Sequence, residues 1–115
     1  MTTDRELLHL AAKAAGIEIY GWIVDGNGVE VAELVDGGRW QPLHENQFTD
    51  AMGDALRLAV KLRIEPRFTP PGVTPDWRVV ARAPGSMYAT EESPDLQAAT
   101  RRAVVRAAAI IGEDK

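Results

Sequence analysis

Residues 50–62 read Asp-Ala-Met-Gly-Asp-Ala-Leu-Arg-Leu-Ala-Val-Lys-Leu, and this stretch decides the fold class. Apolar and small side chains recur in it at helical spacing, while charged side chains fall on the other side. The residues of the apolar side are Met52, Ala55, Leu56, Ala59 and Leu62. An isolated helix of this length is only marginally stable in water. We therefore expect strands before and after it in the chain to cover its apolar face.

Two further helices are predicted near the ends of the chain. In the first, Thr3 and Glu6 have the spacing of a capping box, and Gly16 supplies a left-handed stop. The last helix begins with a cap at Ser93 followed by proline and aspartate, and Gly112 is expected to end it. Its predicted buried stripe consists of Leu96, Ala99, Ala103, Ala107 and Ile110.

A three-stranded antiparallel meander is predicted between the first two helices. Its first strand, residues 17–24, alternates, with Tyr20 and Trp22 on the face opposite to the isoleucines Ile17, Ile19 and Ile23. Asp-Gly-Asn-Gly at residues 25–28 is a typical hairpin turn. The return strand at residues 29–35 and a short strand at residues 39–41 complete the meander.

Two strands are predicted after the central helix. Residues 64–69 contain Pro66, which cannot donate a backbone hydrogen bond and therefore favours a sheet edge. Residues 77–83 place Trp77, Val79 and Ala81 on one face and Arg78 and Arg82 on the other, and residues 84–92 are predicted to form a loop. The predicted order is α-β-β-β-α-β-β-α. This is a single α+β domain over residues 1–115, with a mostly antiparallel sheet packed by helices.

Composition is that of an ordinary globular protein: 115 residues, of which 45% are hydrophobic and 26% charged. The lack of cysteine excludes disulfides and zinc-thiolate sites. No basic segment followed by an apolar run is visible at the N-terminus, and the apolar run at residues 107–111 is too short to cross a bilayer. The sequence therefore predicts a cytoplasmic protein with no membrane partner.

The net charge of −4 is unevenly distributed along the chain. Residues 1–56 have a net charge of −7 and residues 57–115 a net charge of +3. Such asymmetry can create a two-sided electrostatic surface that selects partners. It can also disappear if the two halves interleave in the fold and pair their charges, which is the interpretation we favour.

The common catalytic and metal-binding motifs are not complete in this sequence. The Asp-Gly-Asn-Gly stretch lacks the later oxygen ligands of an EF-hand loop, and His44 is not followed by the second histidine of a zinc-protease helix, because Phe48 occupies its place. No phosphate-binding loop or nucleophile elbow is present. His9 is a lone histidine on a helix. The sequence thus favours a non-enzymatic protein without metal or cofactor. An enzyme remains an alternative, since catalytic groups can come together from positions distant in sequence.

A basic and aromatic patch is the first candidate binding site. Two arginines lie on a predicted strand and three on the last helix, and a tryptophan or tyrosine lies close to them in sequence. Cations beside aromatic rings are what a nucleotide, another phosphorylated ligand or nucleic acid requires. The same arginines are also consistent with a solvated surface of paired charges. The candidate residues are Trp77, Arg78, Arg82, Tyr88, Arg101, Arg102 and Arg106.

The remaining tryptophans, Trp22 and Trp40, allow two interpretations. They can pack across the first sheet as core, which is the favoured one. They can also line a ligand cleft or anchor a protein partner, because tryptophan is enriched at binding hot spots.

Three segments carry a resemblance to a known group of proteins. They are residues 4–17, residues 40–43 leading into residues 53–62, and residues 98–112. In these segments the chain resembles small uncharacterised proteins of tailed bacteriophages and prophages, the NinX-like phage proteins. The resemblance implies a phage origin and a bacterial host as the setting, and it implies no catalytic residues.

Together these observations lead to two expected functions. The first is a phage accessory protein that binds a host protein in the cytoplasm and counters host defence. The second is the capture of a nucleotide, another phosphorylated ligand or nucleic acid by the arginine and aromatic patch. A homodimer is a further possibility, through the sheet edge near Pro66 or an alanine-rich helix face.

Overall fold

Three helices and six strands follow one another in the computed structural model, which describes residues 3–24, 30–43 and 51–114. They are α1 (Asp4–Ala15), β1 (Ile19–Val24), β2 (Glu30–Leu34), β3 (Arg39–Trp40), α2 (Ala51–Leu62), β4 (Glu65–Thr69), β5 (Trp77–Arg82), β6 (Tyr88–Ser93) and α3 (Leu96–Glu113). The predicted α+β fold is confirmed, with one strand more than expected.

The strands form two separate antiparallel sheets. The first has the order β1-β2-β3, as the predicted meander requires, and the second has the order β4-β5-β6. Pro66 lies on β4, at the edge of the second sheet, as expected for a residue without a backbone N–H. The turn predicted at residues 25–28 lies outside the described residues.

Strand β6 occupies a stretch that was predicted to be a loop, and that prediction is wrong. A tight turn reverses the chain: Gly85 and Ser86 adopt positive φ angles of 83° and 66°, and the Ala83 amide donates to the Met87 carbonyl oxygen at 2.7 Å. Tyr88 then pairs with Arg82, and the hairpin continues to Ser93. The sequence does not predict this strand, because alanine and glutamate, which have low β-propensity, occupy several of its positions.

A β-bulge in β1 overturns the predicted arrangement of its side chains. The register shifts between Ile19, which pairs with Leu34, and Gly21, which pairs with Glu33. One extra residue on a strand moves the following side chains to the opposite face. Trp22 consequently lies on the same face as Ile19, not opposite to it.

The central helix α2 is present as predicted, but its buried face is rotated. Its buried residues are Ala51, Ala55, Leu58 and Ala59. Leu56, expected in the core, is 46% exposed. Leu58 is turned inward instead because α2 packs mainly against α3, which lies after it in the chain.

Helix α3 starts and ends differently from the prediction. Asp95, not Ser93, is the N-cap, and its carboxylate accepts hydrogen bonds from the amides of Gln97 and Ala98. Ser93 supports the cap from outside the helix, because its hydroxyl oxygen accepts from the Asp95 amide at 3.0 Å. The helix does not stop at Gly112 but continues to Glu113.

The core is organised around α3, which contacts α1, α2 and the strands of the second sheet. Most of its length is buried, on more sides than the single predicted stripe, and its buried residues are largely alanines and valines. Helix α1 contributes Leu8, Ala11, Ala12 and Ala15 to the same cluster. Small side chains on both helices allow their backbones to approach closely.

Gly112 marks the closest approach between α1 and α3. A Cβ atom built on this residue would overlap the Leu10 carbonyl group of α1. Backbone atoms cannot rotate away as a flexible side chain can. Glycine is therefore required here for helix packing, which explains why it does not terminate the helix.

We expect Gly112→Ala to lower the free energy of unfolding by about 3 kcal/mol, the upper range for overpacking, because backbone blocks the new methyl group. Urea denaturation followed by circular dichroism measures this change. Gly72→Ala is the matched control, since nothing lies within 4 Å of a Cβ at that position. It should alter the free energy of unfolding by no more than about 0.5 kcal/mol. Equal effects of the two substitutions would contradict the packing described for Gly112.

Candidate binding surface

The second sheet has one face against α3 and one face without a helix among the described residues. On β5, Val79 and Ala81 lie on one face, as predicted, and this face is buried and contacts α3. Alternation along the strands brings polar and basic side chains to the other side, which we call the outer face. The side chains of the outer face that bear on binding are those of Arg67, Thr69, Arg78, Val80, Arg82, Tyr88 and Thr90.

A groove of about 440 Å³ runs across this outer face and is lined by Arg67, Thr69, Val80, Arg82 and Tyr88. Arg82 and Tyr88 lie directly opposite each other on β5 and β6. Arg67 is opposite Val80 on the other side of β5. The groove thus combines two guanidinium groups and an aromatic ring, and Tyr88 is 62% exposed.

Charge on the outer face is only partly neutralised. Arg78 pairs with Glu92 at 2.9 Å, and Arg67 pairs with Glu65 at 3.3 Å. Such exposed pairs are weak and exchange readily with other partners. Arg82 makes no ion pair with any residue in the described ranges. Glu65 lies opposite Arg82 in the strand register, so one carboxylate faces the two guanidinium groups. Among the described residues, one positive charge therefore remains in excess beside the exposed ring of Tyr88.

Two of the arginines that were predicted on the last helix lie on α3, on the side of the second sheet opposite to the groove, and do not line it. Arg102 pairs with Asp4 of α1 at 2.7 Å, and its Nε lies 3.6 Å from Glu91. Arg106 donates to the same Glu91 carboxylate at 3.1 Å and to the Thr90 carbonyl oxygen at 2.9 Å. These contacts join α1, β6 and α3, so both arginines have structural partners.

Arg101 is distinct from its neighbours on α3, because it is buried, with 6% of its surface exposed. It lines a separate cavity together with Arg102, Glu91 and Glu92. The five arginines that the sequence suggested as one patch are thus divided between the outer face and the region around α3.

The three tryptophans lie on the inner faces of the two sheets. Trp40 is 5% exposed and belongs to the core, and Trp77 is half-buried on the same face of β5 as Val79. Trp22 packs against the core, and Ala32 pairs with both Trp22 and Trp40, so the two tryptophans flank it. None of the three lines the outer groove.

A small polar cluster surrounds the edge of Trp22. Its indole Nε1 donates to His9 Nε2 at 3.2 Å, and the Arg5 guanidinium lies 5.1 Å from the centre of its ring. Arg5 in turn pairs with Glu30 at 2.7 Å. His9 therefore has a structural partner, and within the described ranges no group of three or more metal-ligating side chains is found.

Sequence reasoning missed Arg67, Thr69 and Val80 as lining residues of the groove. A signal was present, because Arg67 and Thr69 alternate with Pro66 and Phe68 along β4. This alternation identifies the lining of the groove only when the strand register is known, because the register brings Arg67 opposite Val80. The sequence alone does not supply that register.

In the described part of the chain, no helix is both long enough and apolar enough to cross a membrane. No protein-family model, curated protein or solved structure matches this chain.

We expect Glu91→Gln to lower the free energy of unfolding by about 2 kcal/mol, because hydrogen bonds to charged groups contribute in this range and both Arg102 and Arg106 lose a counter-charge. Chemical denaturation at neutral pH measures the loss. Glu92→Gln is the control: its carboxylate is about half exposed and pairs, within the described ranges, with Arg78 alone. Glu92→Gln should lower the free energy of unfolding by about 0.5 kcal/mol or less. A control loss as large as that of Glu91→Gln would disprove the bridging role of Glu91.

Proposed function

We propose that this protein is a non-enzymatic phage accessory protein that docks a host protein through the outer face of its second sheet. In this proposal it acts in the host cytoplasm and counters host defence. The phage origin and the host setting are supported by the resemblance of residues 4–17, 40–43, 53–62 and 98–112 to NinX-like phage proteins. The choice of surface is supported by the geometry of the groove.

The observation that carries the proposal is the pair formed by Arg82 and Tyr88. The two side chains are exposed, lie opposite each other, and have beside them a second arginine, Arg67. Arginine and tyrosine are enriched among the residues that dominate protein–protein binding energies. An excess of positive charge also selects partners of opposite charge and speeds their encounter. The partner proposed is accordingly a protein with an acidic surface.

A second function is favoured by the combination of two arginines and an aromatic ring in one groove. These groups suit a nucleotide or another phosphorylated ligand, whose phosphate pairs with guanidinium and whose base stacks on tyrosine. The overall charge of −4 acts against binding a long polyanion such as nucleic acid. A small phosphorylated ligand is therefore the preferred form of this second candidate.

The proposed docking is tested with the double variant Arg82→Glu/Tyr88→Ala. Tagged protein captures partners from a bacterial lysate, and the affinity of each purified partner is then measured by calorimetry. We expect the variant to bind at least about tenfold more weakly, because loss of a hot-spot side chain costs more than 1 kcal/mol. Raising the salt concentration should weaken binding of the unaltered protein, since the partner is acidic.

Arg39→Glu/Tyr20→Ala is the matched control, because Arg39 and Tyr20 are exposed strand residues of the first sheet. It introduces the same chemical changes away from the groove and should leave affinity unchanged. Equal binding by both double variants would refute docking at the outer face. A saturable thermal shift with ATP that only Arg82→Glu/Tyr88→Ala abolishes would instead establish the second candidate.

A further inference from the structure

The side chain of Arg101 is buried without a counter-charge among the described residues. It keeps only 6% of its surface exposed, and its Nε atom has no hydrogen-bond partner. No hydrogen bond or ion pair to its guanidinium group is found within the described ranges. Buried charges in folded proteins are normally paired, because an isolated one is strongly destabilising. This guanidinium therefore points to an anionic partner.

A cavity of about 310 Å³ lies beside Arg101. This volume is at the lower end of the range for small-molecule sites, about 300–1,000 Å³. One part of its wall is apolar and is formed by Leu43, Ala98 and Ala99. Another part is polar and includes Ser93, whose hydroxyl oxygen accepts from the Asp95 amide and so leaves its own hydrogen available for donation.

The charges around the cavity determine how much negative charge it can accept. Glu91 is already bound by Arg102 and Arg106, and Glu92 is bound by Arg78. Arg101 is left with a single positive charge. A ligand with one negative charge would balance it, whereas a doubly charged phosphate would leave one negative charge in excess.

We propose that this cavity binds a small monocarboxylic acid. The planar carboxylate matches the fork of N–H donors of Arg101, with Ser93 as a further donor. The hydrocarbon part of the acid then lies against Leu43, Ala98 and Ala99. The site is separate from the outer groove and does not depend on the function proposed for that groove, since it shares none of its residues.

The test uses Arg101→Met, which keeps much of the side-chain volume and removes the charge. Melting temperatures are measured with and without acetate, propionate and benzoate. Benzamide serves as an uncharged analogue of benzoate, and phosphate serves as a doubly charged anion. We expect the unaltered protein to respond saturably to at least one of the acids and not to benzamide. At a hundred times the Kd, the folding equilibrium constant should rise about a hundredfold.

Arg101→Met should lose this response and, in ligand-free buffer, should melt at least about 4 °C higher than the unaltered protein, because an unpaired buried charge has been removed. Arg101→Lys retains the charge but not the planar fork, and should bind the same acid at least about tenfold more weakly. Arg39→Met, at an exposed position, is the control and should respond like the unaltered protein.

Three results would overturn the proposal. A lower melting temperature of Arg101→Met in ligand-free buffer would mean that the chain itself neutralises the guanidinium. An equal response to benzoate and benzamide, or a stronger one to phosphate, would exclude a carboxylate site. The absence of any saturable shift of the unaltered protein with the three acids at tens of millimolar would also exclude it, and that measurement requires no variant.

Discussion

The close contact between α1 and α3 is the constraint on which the rest of the structure depends. Gly112 lies against the backbone of Leu10, and alanines fill much of the remaining interface. Helices that approach this closely make many weak dispersion contacts, which together stabilise the pair. Larger side chains at the same positions would not fit and would destabilise it. Because α3 also contacts α2 and the second sheet, its position relative to α1 fixes where those elements can lie.

This arrangement also explains how the arginines are used. Arg102 pairs with Asp4, 98 residues earlier in the chain, and this pair connects the acidic and basic halves of the sequence. Glu91 holds Arg102 and Arg106 together between β6 and α3. Arg82 on the outer face and Arg101 beside its cavity lack such ion pairs among the described residues. Binding is proposed at these two places because their charge is not used by the fold.

Much of the fold follows from local sequence signals. The Thr3 cap, the left-handed Gly16, the meander and the edge position of Pro66 each depend on neighbouring residues, and each is found in the structure. The bulge in β1, the burial of Leu58 in place of Leu56, and the role of Gly112 depend instead on partners distant in sequence. The division of the arginines belongs to this second class, because the packing of α3 on one face of the second sheet and the register of β4, β5 and β6 together decide which of them share a face. Periodicity within one segment contains no information about that register.

The contact between Arg106 and the Thr90 carbonyl oxygen affects how a further strand can pair with the second sheet. Strand β6 is an edge strand of the second sheet. Because Arg106 already donates to the Thr90 carbonyl oxygen, this acceptor is not available to a strand of another molecule. At the opposite margin, β4 carries Pro66, which has no N–H to offer. Each margin thus offers an added strand one backbone hydrogen-bonding group fewer than a regular edge strand does.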